Sequence, residues 1–213
     1  MQFLEKIGTL PLLATLLFGS SVAMAQQYSL VETSAQPLSN KICATCHGAE
    51  GKGNPVVGGP KLAGLEPWYL QQQLQSFRAG YRGMEDSYIP GQEMQASVAR
   101  LSDDEIETLT AYIAKWTPTQ SVDTVSGDTR RGSELYSSCA ACHGINADGN
   151  VALNAPGLAD KDDWYLLRQL KLFKSGYRGS HLDDQRGSQM RAAVSVLETD
   201  QDMTDVLAYI NTL

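Results

Sequence analysis

Lysine and arginine form no run anywhere in this 213-residue chain, and at 17 against 24 Asp and Glu they leave a net charge of −7. Neutralising phosphates needs a basic surface, so nucleic acid is excluded as a partner. Cysteine is scarce as well: four thiols are too few for a disulfide-dense miniprotein. Beyond residue 25 there is no long apolar run, and no stretch alternates apolar with polar residues as a half-buried strand would. With 42% hydrophobic and 19% charged residues, the composition is that of an ordinary globular protein.

Residues 1–25 stand apart. Lys6 precedes an apolar stretch from Ile7 to Phe18, and Ala23-Met24-Ala25 supplies a small-residue cleavage signal. The segment reads as a signal peptide, which places the mature chain outside the cytoplasm, in the periplasm of a Gram-negative host. The alternative is a retained anchor, because Ile7 to Ala25 approaches the roughly 20 residues of a spanning helix. Pro11, Gly19, Ser20 and Ser21 weaken such a helix.

The rest of the chain is a duplication. Shifting the sequence by 96 residues places Cys43-Ala44-Thr45-Cys46-His47-Gly48 on Cys139-Ala140-Ala141-Cys142-His143-Gly144. Trp68-Tyr69-Leu70 then falls on Trp164-Tyr165-Leu166, and Gly80-Tyr81-Arg82-Gly83 on Gly176-Tyr177-Arg178-Gly179. Between Cys43 and Met94, 22 of 52 positions are identical without a gap. The Thr/Ser/Asp/Gly-rich segment after Pro118 reads as a linker. The expected organisation is a signal peptide at 1–25, a first domain at 26–116, a linker at 117–131 and a second domain at 132–213.

Each copy is expected to be all-α. Leu70, Leu74, Phe77 and Tyr81 recur at steps of four, three and four, as do Leu166, Leu170, Phe173 and Tyr177, and each set makes an amphipathic stripe. Gly80 and Gly176 sit where those helices would stop. Ser102-Asp103-Asp104-Glu105 forms a capping box for a last helix through Ile106, Leu109 and Ile113, with a counterpart starting near Thr199. The stretches Gly48 to Lys61 and Gly144 to Gly157 read as long loops, which in a small domain wrap something or carry function.

On a helix, residues at i, i+3 and i+4 share a face, so Cys43, Cys46 and His47 converge, as do Cys139, Cys142 and His143. Two thiols can then add to the two vinyl groups of a haem while the neighbouring imidazole reaches its iron. A disulfide gives no reason for a His after both pairs. A thioredoxin-like site needs a βαβ setting, and a four-Cys zinc site needs pairs roughly 15 to 20 residues apart. Two covalently bound haem c groups are therefore expected, one per copy.

Met94 follows His47 by 47 residues, and Met190 follows His143 by the same interval. Met/His coordination is the usual pairing in cytochromes c, so these are the candidate distal ligands, expected in a loop next to a glycine. Met84 and His181 compete, but they do not align with each other. His181, flanked by Ser180, Asp183 and Asp184, reads as a solvated loop residue. Trp68, Tyr69, Trp164 and Tyr165 read as pocket walls or core rather than electron relays.

On these motifs the chain resembles the dihaem class I cytochromes c, and is similar to the cytochrome c4 family. The resemblance implies that the carbonyls of Pro60 and Pro156 accept a hydrogen bond from the ring N–H of His47 and His143. It also implies that the first and last helices of each copy cross at a glycine and aromatic contact. The second copy offers Gly132, Leu135, Tyr136 and Tyr209 for this. The first has Gln36, Ser39 and Asn40 with Tyr112, so the two haem environments are not expected to be equal.

An iron held by His and Met has no open position for a substrate, so the expected function is electron transfer. The resemblance implies a carrier between a quinol-oxidising or dehydrogenase complex and a terminal oxidase or reductase. Its redox protein partners are expected to present a basic patch to this acidic surface, with association that depends on ionic strength. Alternatives are an electron-transfer subunit of a membrane complex, or a dihaem enzyme such as a peroxidase or sulfur-compound dehydrogenase. Cys is absent outside the two motifs, which argues against the enzyme.

Overall fold

The computed structural model describes residues 42–84 and 89–213. The expected signal peptide and its anchor alternative, and the positions Gln36, Ser39 and Asn40, lie outside the described residues. The described chain is helical. In order come α1 (Ala44–His47), α2 (Pro67–Arg78), α3 (Ile89–Val98), α4 (Asp103–Ile113), α5 (Thr129–His143), α6 (Asp163–Ser175), α7 (Gln185–Ala193) and α8 (Asp200–Ile210). The extended pairing among the described residues is limited to two isolated bridges, Asn54 with Gly59 and Asn150 with Ala155, which pin equivalent turns of the two long loops. None of the described helices is long and apolar enough to cross a membrane.

The helix boundaries follow from local chemistry. Ser102 caps α4 by accepting from the Glu105 N–H while the Glu105 carboxylate accepts from the Ser102 N–H, and Thr199 with Asp202 repeats this at α8. Pro67 opens α2, where its missing N–H costs nothing. Helix α6 ends at Gly176 in the left-handed conformation, φ 80°. Leu70, Leu74 and Phe77 are buried along α2 as the stripe requires. Tyr81 and Tyr177 do not extend the stripes, because the chain turns away at the two glycines: Tyr177 is half exposed, and Tyr81 stacks on His181.

Two separate apolar cores result. One gathers Leu62, Leu70, Leu74, Phe77, Ile106 and Ile113; the other gathers Tyr136, Phe173, Leu197, Met203, Leu207 and Ile210. The protein is thus two tandem helical domains, called half one and half two below. Helix α5 starts at Thr129, capped by Asp128, inside the span 117–131 expected as linker. The rest of that span is held down. The buried Asp163 carboxylate accepts from the N–H groups of Thr124 and Val125, the Thr124 hydroxyl and the Asn211 amide. Lys61 Nζ donates to the Thr119 carbonyl at 2.6 Å and to Ser121 Oγ at 2.7 Å.

The halves meet through contacts that occur twice, once in each direction. Lys61 N–H donates to Asp162 Oδ2 at 2.7 Å, and the residue 96 further on, Gly157, donates its N–H to Glu66 Oε1 at 2.7 Å. Arg82 donates to the Tyr165 hydroxyl and Gln169 Oε1; Arg178 donates to the Tyr69 hydroxyl and Gln73 Oε1. Both guanidiniums are buried, each over its own half's phenylalanine, Phe77 at 4.2 Å and Phe173 at 4.3 Å. The junction is a pseudo-twofold interface inside one chain, of the self-complementary kind found in symmetric dimers.

Candidate haem-binding sites

In half one the Cys-x-x-Cys-His segment is the short helix α1, and it faces an aliphatic cleft. Cys43, His47 and Met94 line that cleft together, with walls that include Leu62, Leu74 and Ile113. Its empty space is about 490 Å³, part of it open to solvent. In half two the same segment is the last turn of α5, with Cys139 and Met190 packed beside the second core. No disulfide joins any two of the four cysteines. Burial pushes the Cys43 and Cys139 thiols of the bare chain up from their ordinary value.

The histidines are buried and their tautomers follow from their partners. His47 Nδ1 lies 2.7 Å from the Pro60 carbonyl, and His143 Nδ1 lies 2.8 Å from the Pro156 carbonyl. A carbonyl can only accept, so Nδ1 carries the proton and Nε2 keeps its lone pair. Burial also pulls both imidazoles down from their ordinary value, which keeps them neutral. The loops reach back to the helices because the Gly53 and Gly149 N–H groups donate to the carbonyls of His47 and His143.

Met94 lies on α3 and Met190 on α7, not in loops as expected. The nearby glycines suggested a break, but Gly91 and Gly187 are buried within those helices. Gly83 and Gly179 explain why. A Cβ on either would come within 2.2 Å of the Gly91 or Gly187 carbonyl, and both residues have positive φ, 82° and 78°. Glycine at 83 and 179 lets the turn after each long helix lie directly against the Met-bearing helix, and in half two a Cβ on Gly187 would also meet Gly179 Cα at 2.8 Å.

These features suit a haem on observations of the protein itself. A neutral Nε2 donor, thiols spaced one turn apart, a thioether in the same cleft and an aliphatic lining are what a covalently held porphyrin needs. Among the described residues no three His, Cys, Asp or Glu side chains cluster to hold a metal ion by themselves. Met84 is exposed and Gly80 borders it. His181 is partly exposed, with its ring 4.5 Å from that of Tyr81 across the junction. The Tyr69 and Tyr165 hydroxyls reach the arginines of the opposite half. Burial alone would raise the Tyr165 phenol, but Arg82 and Arg178 hold it below its ordinary range.

The residues that sequence reasoning passed over are Glu66 and Asp162, the two carboxylates that cross the junction. They differ in type, so they do not count as identities, although both are acidic and stand 96 residues apart. Comparing charge rather than identity at that offset would have found them.

The family model for Cytochrome c matches residues 33–117 and again residues 129–213. Cytochrome c4 of Azotobacter vinelandii is 30% identical over 184 residues, 81% of this chain and 84% of that protein. The thiosulfate dehydrogenase electron acceptor of Stutzerimonas stutzeri (strain A1501) is 30% identical over 161 residues, 70% of this chain and 71% of that protein. The crystal structure of reduced recombinant cytochrome c4 from Pseudomonas stutzeri superposes with a TM-score of 0.64 at 27% identity, covering 84% of this chain and 98% of that one. The duplicated motif, the helical fold and these matches agree, and the chain belongs to the cytochrome c family as a dihaem electron-transfer protein with two covalently bound haem c groups.

Proposed function

We propose that the protein is a periplasmic electron carrier, taking electrons from a quinol-oxidising or dehydrogenase complex and passing them to a terminal oxidase or reductase. Cys43 and Cys46 tether one haem by thioether bonds, and Cys139 and Cys142 the other. His47 and Met94 ligate the first iron, and His143 and Met190 the second. The observation that carries this reading is the meeting of Cys43, His47 and Met94 in one aliphatic cleft.

Bound haem supplies reversible one-electron exchange between ferrous and ferric iron. The chain determines how that exchange is used. Pro60 and Pro156 fix the imidazole tautomer, so that Nε2 is presented as a neutral ligand. Two protein ligands per iron leave no position for a substrate. The net charge of −7 favours partners with a basic docking patch. A second reading, a subunit committed to one dehydrogenase, is favoured by the Stutzerimonas stutzeri relative, whose name is that of an electron acceptor. It uses the same residues and differs in the native mass of the isolated protein.

Optical and magnetic spectra of Met94→Ala and Met190→Ala beside the wild type test the ligand set. Each substitution is expected to abolish one low-spin His/Met signal and leave the other. Spectra unchanged in both variants would overturn the assignment.

A further inference from the structure

The peptide groups Pro60–Lys61 and Pro156–Gly157 each make two hydrogen bonds in opposite directions. On one side the Pro60 carbonyl accepts from His47 Nδ1–H at 2.7 Å; on the other, the Lys61 N–H of that same peptide donates to Asp162 Oδ2 at 2.7 Å. In half two the Pro156 carbonyl accepts from His143 Nδ1–H at 2.8 Å, and the Gly157 N–H donates to Glu66 Oε1 at 2.7 Å. Asp162 belongs to half two and Glu66 to half one. The carboxylate behind each histidine is therefore supplied by the other half.

We propose that Glu66 and Asp162 are positioning residues that tune the iron of the opposite half through the intervening peptide. The proposal rests on the haem ligation proposed above. A carboxylate accepting from an amide N–H draws density towards the carbonyl oxygen of that peptide, because hydrogen bonds in a chain polarise one another. The more negative carbonyl takes a stronger hydrogen bond from Nδ1–H and gives the imidazole more imidazolate character. A more basic ligand favours ferric over ferrous iron. Each half thereby contributes to the potential of its neighbour.

The two relays differ in how far the carboxylate is already compensated. Asp162 has Ser121 Oγ 3.5 Å from its second oxygen, and the Lys61 ammonium lies close enough to interact with it. Glu66 Oε2 is buried and finds no hydrogen-bond partner among the described residues. Position 157 is a glycine, with no ammonium to match Lys61. Glu66 keeps more of its charge for the peptide, so its relay is the stronger of the two.

The test is a spectroelectrochemical titration of the intact dihaem protein with Glu66→Gln and Asp162→Asn, both of which keep an oxygen acceptor. The couples are assigned to their halves by the Met94→Ala and Met190→Ala spectra. Glu66→Gln is expected to raise the half-two potential, changing its oxidised-to-reduced ratio at fixed poise about tenfold, or ~59 mV for one electron. Asp162→Asn is expected to raise the half-one potential by a smaller factor, about threefold by the same second-shell reasoning. The His143 Nδ1 proton of the reduced protein should move upfield in Glu66→Gln as its hydrogen bond to the Pro156 carbonyl weakens, and the Gly157 amide proton should move upfield with it. Equal shifts of both couples, or shifts of neither with both His/Met signals intact, overturn the relay. Loss of those signals in the wild type overturns the ligation instead. Should either variant fold poorly, the reduced wild type still decides: Lys61 and Gly157 amide protons at ordinary positions rather than downfield count against the proposal.

Discussion

The two halves share a site but support it differently. In half two the Cys-x-x-Cys-His motif ends a 15-residue helix, α5, that lies against α8. Gly132 permits the contact, since a Cβ there would sit 2.0 Å from the Asp205 carbonyl oxygen. Tyr136 packs beside Tyr209 at 5.5 Å between ring centroids and donates its hydroxyl to the Gly144 carbonyl at 2.7 Å. Burial first, then nearby Cys139, pushes that phenol up to about 12, so it remains a donor at ordinary pH. Arg131 closes the arrangement on Asp202 and Asp205. In half one the aligned positions are Ala35, Gln36 and Asn40, and Thr108 stands opposite Asp205. They supply no guanidinium, no glycine, no phenol and no second carboxylate at the matching places. The comparison teaches that the motif, the Pro loop and the Met helix are common to both halves, whereas the residues of this glycine and tyrosine crossing belong to half two alone.

The largest effect should come from breaking the crossing where it is tightest. Gly132→Val places side-chain carbon against the backbone of α8, which cannot yield as a flexible side chain could. We expect a loss of about 3 kcal/mol, at the severe end for overpacking. Native-state hydrogen exchange should localise it, with faster exchange throughout α8 and little change in α4. Gln36→Val, the aligned change in half one, adds no Cβ that the glutamine lacks, so it should cost no more than about 0.5 kcal/mol. Equal costs in the two halves would mean that half one has a crossing of its own.

Much of this comparison was legible in the sequence, and the parts that were not share a cause. The duplication, the helix-stopping glycines and the Ser102 capping box are local patterns with local causes, and each appears where it was read. The substitution of Gly132 and Tyr136 by Gln36 and Asn40 already marked the halves as unequal. Met94 and Met190 are expected in loops because a glycine three residues earlier reads as a breaker. Gly91 and Gly187 are instead buried inside helices, and Gly187 lies against Gly179, a tertiary close approach that no local propensity encodes. The crossed contacts at the junction join residues about 100 positions apart, where periodicity carries no information. Segment 117–131 has a linker's composition, yet Lys61 and the buried Asp163 pin its residues 119–125, and α5 begins within it.

A smaller difference should appear on acidification. Asp202 is held from its ordinary 3.8 down to about 2, first by its hydrogen bond from Arg131 and then by the Thr199 N–H. A carboxyl depressed in the folded state contributes its stability above its unfolded value and loses it as pH falls towards the folded one. The loss therefore falls between about pH 4 and pH 2. Glu105, the equivalent capping carboxylate of half one, is lowered by its hydrogen bonds with Ser102 alone, and Ala35 stands where Arg131 would be. Asp202→Asn should flatten the acid limb of half-two unfolding, followed by hydrogen exchange in α8 across that pH range. Glu105→Gln should change the α4 limb less. An acid limb unaltered by Asp202→Asn would remove this distinction between the halves.

The smallest effect is one on which the halves should agree. Ser102 and Thr199 cap α4 and α8 through the same reciprocal pair, with side-chain oxygens accepting at 3.2 Å and 3.1 Å. Each cap satisfies one N–H that the helix cannot. Ser102→Ala and Thr199→Ala should each cost about 1 kcal/mol, as read from denaturant unfolding at neutral pH. Agreement between them requires the cap to act independently of the helix crossing. If Thr199→Ala costs clearly more, its cap and the Arg131–Asp202 pair form one network, because the carboxylate that closes the capping box is the one Arg131 holds. A double substitution with Arg131→Ala would then measure the coupling, and an additive result would return the excess to Thr199 itself.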